Sequence, residues 1–399
     1  MFEALPDAKP DAILALMQEF RADTRTNKLD LGVGVYKDGE GKTPVMKAIK
    51  SAESKLIDTQ ETKAYVAPTG SAPFCSAMID LVFGADADKA RIRAAQSVGG
   101  SGALRVLADL MRRSRPDAKI WVSDPSWPNH IPLLGAAGFE LARYPYYDVD
   151  TGRADIDAII GSLSTAASGD IVVLHGCCHN PTGADLSQDD WNKIIDVMLE
   201  KELFPFVDIA YQGFGKGLEE DAMGVRLLAE RMPELVVAAS CSKNVGLYRE
   251  RVGAAIVMGR NEAEATRAFG SLTTVIRSNY SMPPDHGANA TEIVLTDGAL
   301  NTQWREELES MRVRMVGLRK TFSDAMRKRS NSDRFDYIAE QNGMFSRLPL
   351  TPEQIDTLRS EHAIYIVGDG RINVAGLPEG SIDELADAIC NVIAESEQS

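Results

Sequence analysis

In "AASCSKNVGLYRERVG" (238–253) a single lysine, Lys243, stands among small polar residues, and Arg251 follows within the same stretch. The segment comes directly after "ELVV", a short apolar run with the character of a buried strand. An amine and a guanidinium at such a strand mouth are unfavourable unless something compensates them. One reading is an ordinary turn with solvated charges. The other is a site that holds an anion and uses the amine for covalent chemistry. The neighbouring strand ends decide between them.

Residues of similar promise follow the other apolar runs. After "RAAQSV", Gly99, Gly100, Ser101 and Gly102 open a helical pattern. Such a turn can aim backbone N–H groups at a phosphate, with the helix dipole assisting. Its spacing matches neither a dinucleotide fingerprint nor a Walker loop, and many glycine turns only let the chain pass. Trp127 in "SDPSWPNH" is either a core side chain or a flat wall for an aromatic ligand. "HGCCHNPTG" follows "IVVL"; in extended chain His175, Cys177 and His179 would share one face and Cys178 the other. No second ligand pair stands at finger-like spacing, so no metal is expected there. Asn180, ahead of Pro181, offers an amide at the strand mouth. Asp208 ends "LFPFV" and Tyr211 lies one turn on; a carboxylate there needs a cationic or hydrogen-bonding partner. Ser240 closes "LVVAAS".

One ligand accounts for the whole set. Pyridoxal phosphate has a phosphate for the glycine turn, Ser240 and Arg251, and a ring for Trp127. Its protonated ring nitrogen suits Asp208, its phenolic oxygen suits Asn180 and Tyr211, and its aldehyde suits Lys243.

These residues can meet only if parallel strands deliver them to one sheet edge. "KIWVSDPSW" (119–127), "DIVVLHGC" (170–177), "LFPFVDIAY" (203–211), "ELVVAAS" (234–240) and "GAAIVMG" (253–259) read as strands. Helical patterns lie between several of them, one of them opened by a cap at Ser187. This alternation predicts an α/β fold: a large domain with a mainly parallel sheet flanked by helices. In such sheets ligands bind beyond the carboxyl ends of the strands. From Trp304 a long helix carries Leu308, Met311, Met315, Leu318 and Phe322 as an apolar stripe. Beyond it, "FDYIAEQNGMFSRL" and "YIVGDGRINVAG" read as strands around turns, and "SIDELADAICNVIAES" as a closing helix. The expected division is residues 1–45 as an N-terminal arm and part of a small domain, 46–312 as the large cofactor-binding domain, and 313–399 as a small α+β domain.

Composition narrows the function classes. The chain has 399 residues, 44% hydrophobic and 25% charged, with a net charge of −15. That balance, with no basic run, argues against nucleic acid as a partner. Five cysteines, two of them adjacent, suggest a reducing compartment. The start "MFEALPDAKPDAILALMQEF" has no signal-peptide pattern, and no apolar stretch reaches membrane-spanning length. A cytoplasmic location is expected.

The sequence resembles the aspartate/aromatic aminotransferases, class I members of the fold-type I pyridoxal-phosphate enzymes. The likeness rests on "LGVGVYKDGEGKTPV", "TKAYVAPTG", "GGSGALR", "SDPSWPNH", "HGCCHNPTG", "DIAYQGFGKGLEED", "SCSKNVGLYRERVG", "IRSNYS" and "GRINVAG", which occur in family order across nearly the whole chain. The resemblance implies a homodimer with shared active sites. It implies Lys243 as the catalytic lysine that bonds the aldehyde, and Asp208 as the partner of the ring nitrogen with His130 behind it. It implies Gly100, Ser101, Gly102, Ser240 and Arg251 at the phosphate, joined by Tyr65 from the other subunit. Trp127 would stack on the ring, and Asn180 and Tyr211 would serve the phenolic oxygen. Gly34 would contact substrate, Arg371 would clamp the α-carboxylate, and Arg277, near Ser281, would reach a second carboxylate across the dimer.

Two departures bear on specificity. Ser101 stands where aspartate-preferring relatives typically carry threonine, and Met282 where they usually have asparagine. The expected activity is ping-pong transamination of aromatic amino acids and dicarboxylates with 2-oxoglutarate, by way of pyridoxamine phosphate. A strict aspartate aminotransferase is the alternative, and a pyridoxal-phosphate decarboxylase or lyase, or a non-catalytic ligand sensor, stands further off.

Overall fold

The computed structural model describes residues 2–5, 7 and 12–397; positions 1, 6 and 8–11 of the expected N-terminal arm, and 398–399, lie outside the described residues. Seven strands form the main sheet: β1 (Ile92–Val98), β2 (Lys119–Asp124), β3 (Glu140–Pro145), β4 (Ile171–His175), β5 (Phe204–Ile209), β6 (Leu235–Ser240) and β7 (Val252–Met258). Their order is β1-β7-β6-β5-β4-β2-β3. Neighbours from β6 through to β3 pair in parallel, and β7 runs antiparallel to both β6 and β1.

Burial explains which strands the sequence announces. Every residue of β6 and β7 is buried, so both read as unbroken apolar runs, as strands covered on two faces must. β3 sits at the edge with a mixed, partly exposed face, and it is absent from the strands foreseen. The run at 119–127 ends as a strand at Asp124. "FDYIAE" also departs from expectation: Tyr337–Glu340 is a single helical turn, not a strand. Arg319 explains the change, because its buried guanidinium donates to the Ile338 and Asn342 carbonyls and holds that turn against the long helix.

Helices cover the sheet. Gly99–Ser114 follows β1 and buries Leu104, Leu107 and Met111. Gln188–Glu200 starts at Ser187 with a capping box closed by Asp190, which satisfies orphan N–H groups at both ends of the exchange. The long helix spans Gly298–Ser330, capped by the Asp297 carboxylate. Its Trp304, Leu308, Met311 and Met315 join the core beneath the sheet. Leu318 and Phe322 join a separate core with Ile366, Ile372 and Ile389. Near that second core, Leu29–Asp30 pairs in parallel with Ile364–Tyr365, and Phe345–Arg347 pairs antiparallel with Arg371–Asn373.

Candidate active site

The β6–β7 reversal sets the geometry. Ser240 ends β6 and pairs with Gly253 of β7, so the 241–251 loop both leaves and re-enters the sheet at the carboxyl edge of the parallel strands. Lys243 and Arg251 lie on that one loop. Trp304 of the long helix fixes it, its indole N–H donating to the Asn244 carbonyl at 2.7 Å. Val98, the last residue of β1, pairs with Val252, so the turn after β1 opens beside Arg251. Two glycines make that approach feasible. Gly99 has φ +64° and faces the Arg251 guanidinium, and a Cβ on Gly253 would lie 2.6 Å from the Ala239 carbonyl oxygen and 2.7 Å from the Gly99 carbonyl carbon.

A cavity of about 200 Å³ opens at this edge, and Gly100, Ser101, Trp127, Asn180, Asp208, Tyr211, Ser240, Lys243 and Arg251 are among the residues that line it. Nine positions singled out from sequence therefore share one wall system. His175, Ser242 and Tyr248 also line it, although no role was assigned to them from sequence.

The floor is a hydrogen-bonded chain, buried at Asp208 and His130 and part-buried at Ser126 and His175. Asp208 Oδ2 lies 3.0 Å from His130 Nε2, His130 Nδ1 lies 2.9 Å from Ser126 Oγ, and Ser126 Oγ lies 3.1 Å from His175 Nε2. With Asp208 ionised, His130 Nε2–H donates to it, which leaves Nδ1 to accept from the serine. Burial pushes the Asp208 carboxyl up. The His130 hydrogen bond, helped by the nearby Lys243 ammonium, outweighs it and holds the group below its ordinary value. His175, which the sequence left without a role, thus becomes part of the support for Asp208.

The rest of "HGCCHNPTG" also departs from the extended-chain picture, because the strand stops at His175. His179 stacks on Tyr146 at 3.8 Å and bonds Ser123 and Thr182. Cys177 and Cys178 converge instead on Asp221. That carboxylate already accepts the backbone N–H groups of Gly213, Gly215 and Lys216 at 2.8 Å, which gives it a structural role.

At the roof, Lys243 is part-buried, with its amine 4.8 Å from the Tyr211 ring centroid. Burial, with Arg251 and Arg371 adding to it against Asp208, brings its pKa down to about 8. Asn180 Nδ2 donates to the Tyr211 hydroxyl at 3.3 Å, and burial raises the Tyr211 pKa so that the phenol keeps its proton. Arg371 is buried, donating to Asn180 Oδ1 at 3.3 Å and to the Gly32 carbonyl at 2.8 Å, while its Nε has no partner. The Phe345 ring lies 4.5 Å from its guanidinium, and a Cβ on Gly34 would meet that same ring at 3.0 Å.

These residues fit pyridoxal phosphate. A Cβ on Gly100 would stand 2.9 Å from the Ser240 Cβ, so the bare turn keeps the phosphate end open. The acid, the amine and the unpartnered guanidinium N–H match the ring nitrogen, the aldehyde and a substrate carboxylate. A sequence profile for "Aminotransferase class I and II" matches residues 26–389.

The chain belongs to the class I and II aminotransferases. It is 46% identical to the aromatic-amino-acid aminotransferase of Paracoccus denitrificans, with 98% of this chain and 100% of that protein covered. It is 44% identical to the aspartate aminotransferase of Escherichia coli K12, at the same coverage. Its fold matches the crystal structure of the aromatic-amino-acid aminotransferase from Burkholderia pseudomallei covalently bound to pyridoxal phosphate, with a TM-score of 0.96, 41% identity, and 98% and 99% of the two chains covered.

Against this aminotransferase frame, Tyr65, Gly102, Arg277 and Ser281, positions taken from the resemblance, are not among the residues that line the cavity. Tyr65 is 95% exposed. Arg277 is exposed near the end of the Glu262–Asn279 helix and donates to the Ser281 hydroxyl of its own turn. Ser281 has φ +71°, and Met282 follows it part-buried. Gly102 lies in the helix behind the turn, its Cβ position 3.0 Å from the Val98 Cβ.

Proposed function

We propose that this aminotransferase uses pyridoxal phosphate to exchange amino groups between aromatic amino acids or aspartate and 2-oxoglutarate. One observation carries the reading: Lys243, with its pKa near 8, lines the same cavity as an Asp208 that is held ionised. Pyridoxal phosphate supplies, when bound, an aldehyde for the amino group and a cationic ring that draws electron density from the substrate Cα. Lys243 Nζ would hold the cofactor at its aldehyde carbon. When free, its amine would take the substrate Cα proton and hand it back, as base and then acid. Asp208 keeps the ring nitrogen protonated, and the His130–Ser126–His175 chain orients its carboxylate. Arg371 grips the α-carboxylate, which fixes the Cα–H bond against the amine. Ser240, Arg251 and the turn from Gly99 to Ser101 hold the phosphate.

Met282 and Ser101 favour aromatic donors over strict aspartate use, since an apolar side chain near Arg277 removes a polar partner and tolerates a ring. The exposed positions of Tyr65 and Arg277 support a homodimer in which each protomer offers both to the other's site. The two hydrophobic cores that share the long helix support a large and a smaller domain, divided near 46 and 313, with Tyr36, Met315, Met344 and Phe345 packing across to the larger core. Among the described residues no helix is long and apolar enough to cross a membrane, and five free cysteines support a cytoplasmic location.

The test is kcat/KM for aspartate, glutamate, phenylalanine, tyrosine and tryptophan with 2-oxoglutarate. Efficient use of aspartate with phenylalanine and tyrosine barely turned over would overturn the aromatic assignment. Release of carbon dioxide or ammonia in place of oxo acid would point to the decarboxylase or lyase reading.

A further inference from the structure

Arg371 does not stand alone; a strap of chain presses against it. Six hydrogen bonds join the segment from Leu31 to Lys37 to residues 365–375. Leu31 N–H donates to the Tyr365 carbonyl at 3.0 Å, and Asn373 N–H to the Leu31 carbonyl at 2.7 Å. The Gly32 carbonyl accepts from Arg371, and the Val33 and Val35 carbonyls both accept from Asn373 Nδ2 at 2.7 Å. Lys37 N–H donates to the Ala375 carbonyl. Among the described residues, one hydrogen bond joins this strap to the loop that carries Lys243: Tyr36 N–H donates to the Tyr248 hydroxyl at 3.0 Å.

Tyr248 occupies an unusual position for that role. Its ring lines the cavity, and its backbone carbonyl accepts from Arg251 at 3.1 Å. One residue therefore touches the phosphate grip through its main chain and the substrate-side strap through its side chain. Losing the phenol oxygen would leave the Tyr36 N–H without its acceptor and free the strap on one side. The Gly32 carbonyl that steadies Arg371 lies on the same short segment.

We propose that Tyr248 is a positioning residue that ties the strap to the phosphate-binding loop and so holds Arg371 ready for a carboxylate. The inference rests on the reading of Arg371 as the α-carboxylate clamp. It assigns separate duties to the two halves of one residue, so Tyr248→Phe removes the strap bond and leaves the carbonyl that serves Arg251.

The experiment uses the holoenzyme and 3-phenylpropionate, an aromatic carboxylate that lacks an amino group and cannot react. Tyr248→Phe is expected to raise its Kd by roughly tenfold, the scale of one lost hydrogen bond that preorganises a site. The affinity for pyridoxal phosphate should stay within about twofold, and amide hydrogen exchange at Tyr36 should accelerate while strand β6 stays protected. An unchanged Kd with unchanged Tyr36 exchange overturns the proposal. So does an equal loss of cofactor affinity, which would make Tyr248 a phosphate residue only. If the wild-type holoenzyme fails to bind 3-phenylpropionate at all, the reading of Arg371 falls first and the inference with it.

Discussion

Asp208 and Arg277 carry opposite charges in opposite settings. The carboxylate lies buried on a central strand, oriented by His130 and through it by Ser126 and His175. The guanidinium is exposed near a helix end, and its side-chain partner is a serine of the following turn. On the proposed roles, the groups that every amino donor would require lie at strand ends and on the loop after β6, held in place by packing. Groups that would distinguish one donor from another sit at the periphery, where they can change without refolding the core.

Replacement of Lys243 should separate the two regions most sharply. Lys243→Ala is expected to lower kcat by roughly 10⁴-fold for all donors, the upper range for a lost proton-transfer group, as read in single turnovers of cofactor-loaded enzyme. An undiminished rate would remove the amine from the mechanism. Next come the two arginines. Arg371→Leu should lower kcat/KM by about 10³-fold for aspartate and phenylalanine alike, because a buried carboxylate partner is lost. Arg277→Ala should lower it by about 10²-fold for aspartate and by far less for phenylalanine. Equal losses for both donors in Arg277→Ala would erase the contrast between core and periphery.

The amine also has a stability signature in the cofactor-free protein. Its proton leaves near pH 8 in the folded state and near 10.5 when the chain is unfolded. Between those values the unfolded chain binds more protons, so stability should rise with pH across that window, by at most about 3 kcal/mol. Lys243→Met should abolish the rise and stabilise the cofactor-free protein at pH 7, measured by urea titration; a pH slope that persists in the variant would assign it to another group. The smallest effect belongs to the periphery. Met282→Asn should shift the aspartate-to-phenylalanine ratio of kcat/KM about tenfold toward aspartate, and no shift would move the source of preference elsewhere.

The pattern of what could be read in advance follows the same division. β4, β5 and β6 are buried on both faces, so their apolar runs reveal them, and the residues at their ends fall where parallel topology sends them. Lys243, Asp208 and Asn180 were legible for that reason. β3 was not, because an edge strand with one wet face carries no such run. The turn at Tyr337 was missed because its form depends on Arg319, a partner distant in sequence. His175, His179 and Tyr248 escaped assignment because their roles come from cross-strand register and from a contact to Tyr36 more than two hundred residues away. "GLYRERVG" contained the only local hint, a tyrosine between the lysine and the arginine. Tyr65 and Arg277 came from family likeness alone, and their surface positions show why no local pattern could have marked them.

The antiparallel course of β7 has one more effect. Because the chain doubles back at the sheet edge, the Lys243 amine and the Arg251 guanidinium hang from a single short tether whose span is set by chain length. Adding or removing one residue there would put both grips out of step with a ligand of fixed dimensions, whereas the contacts that choose among substrates arrive on other segments. Evolution could therefore vary the diet of such a protein freely while its prosthetic group stayed locked in.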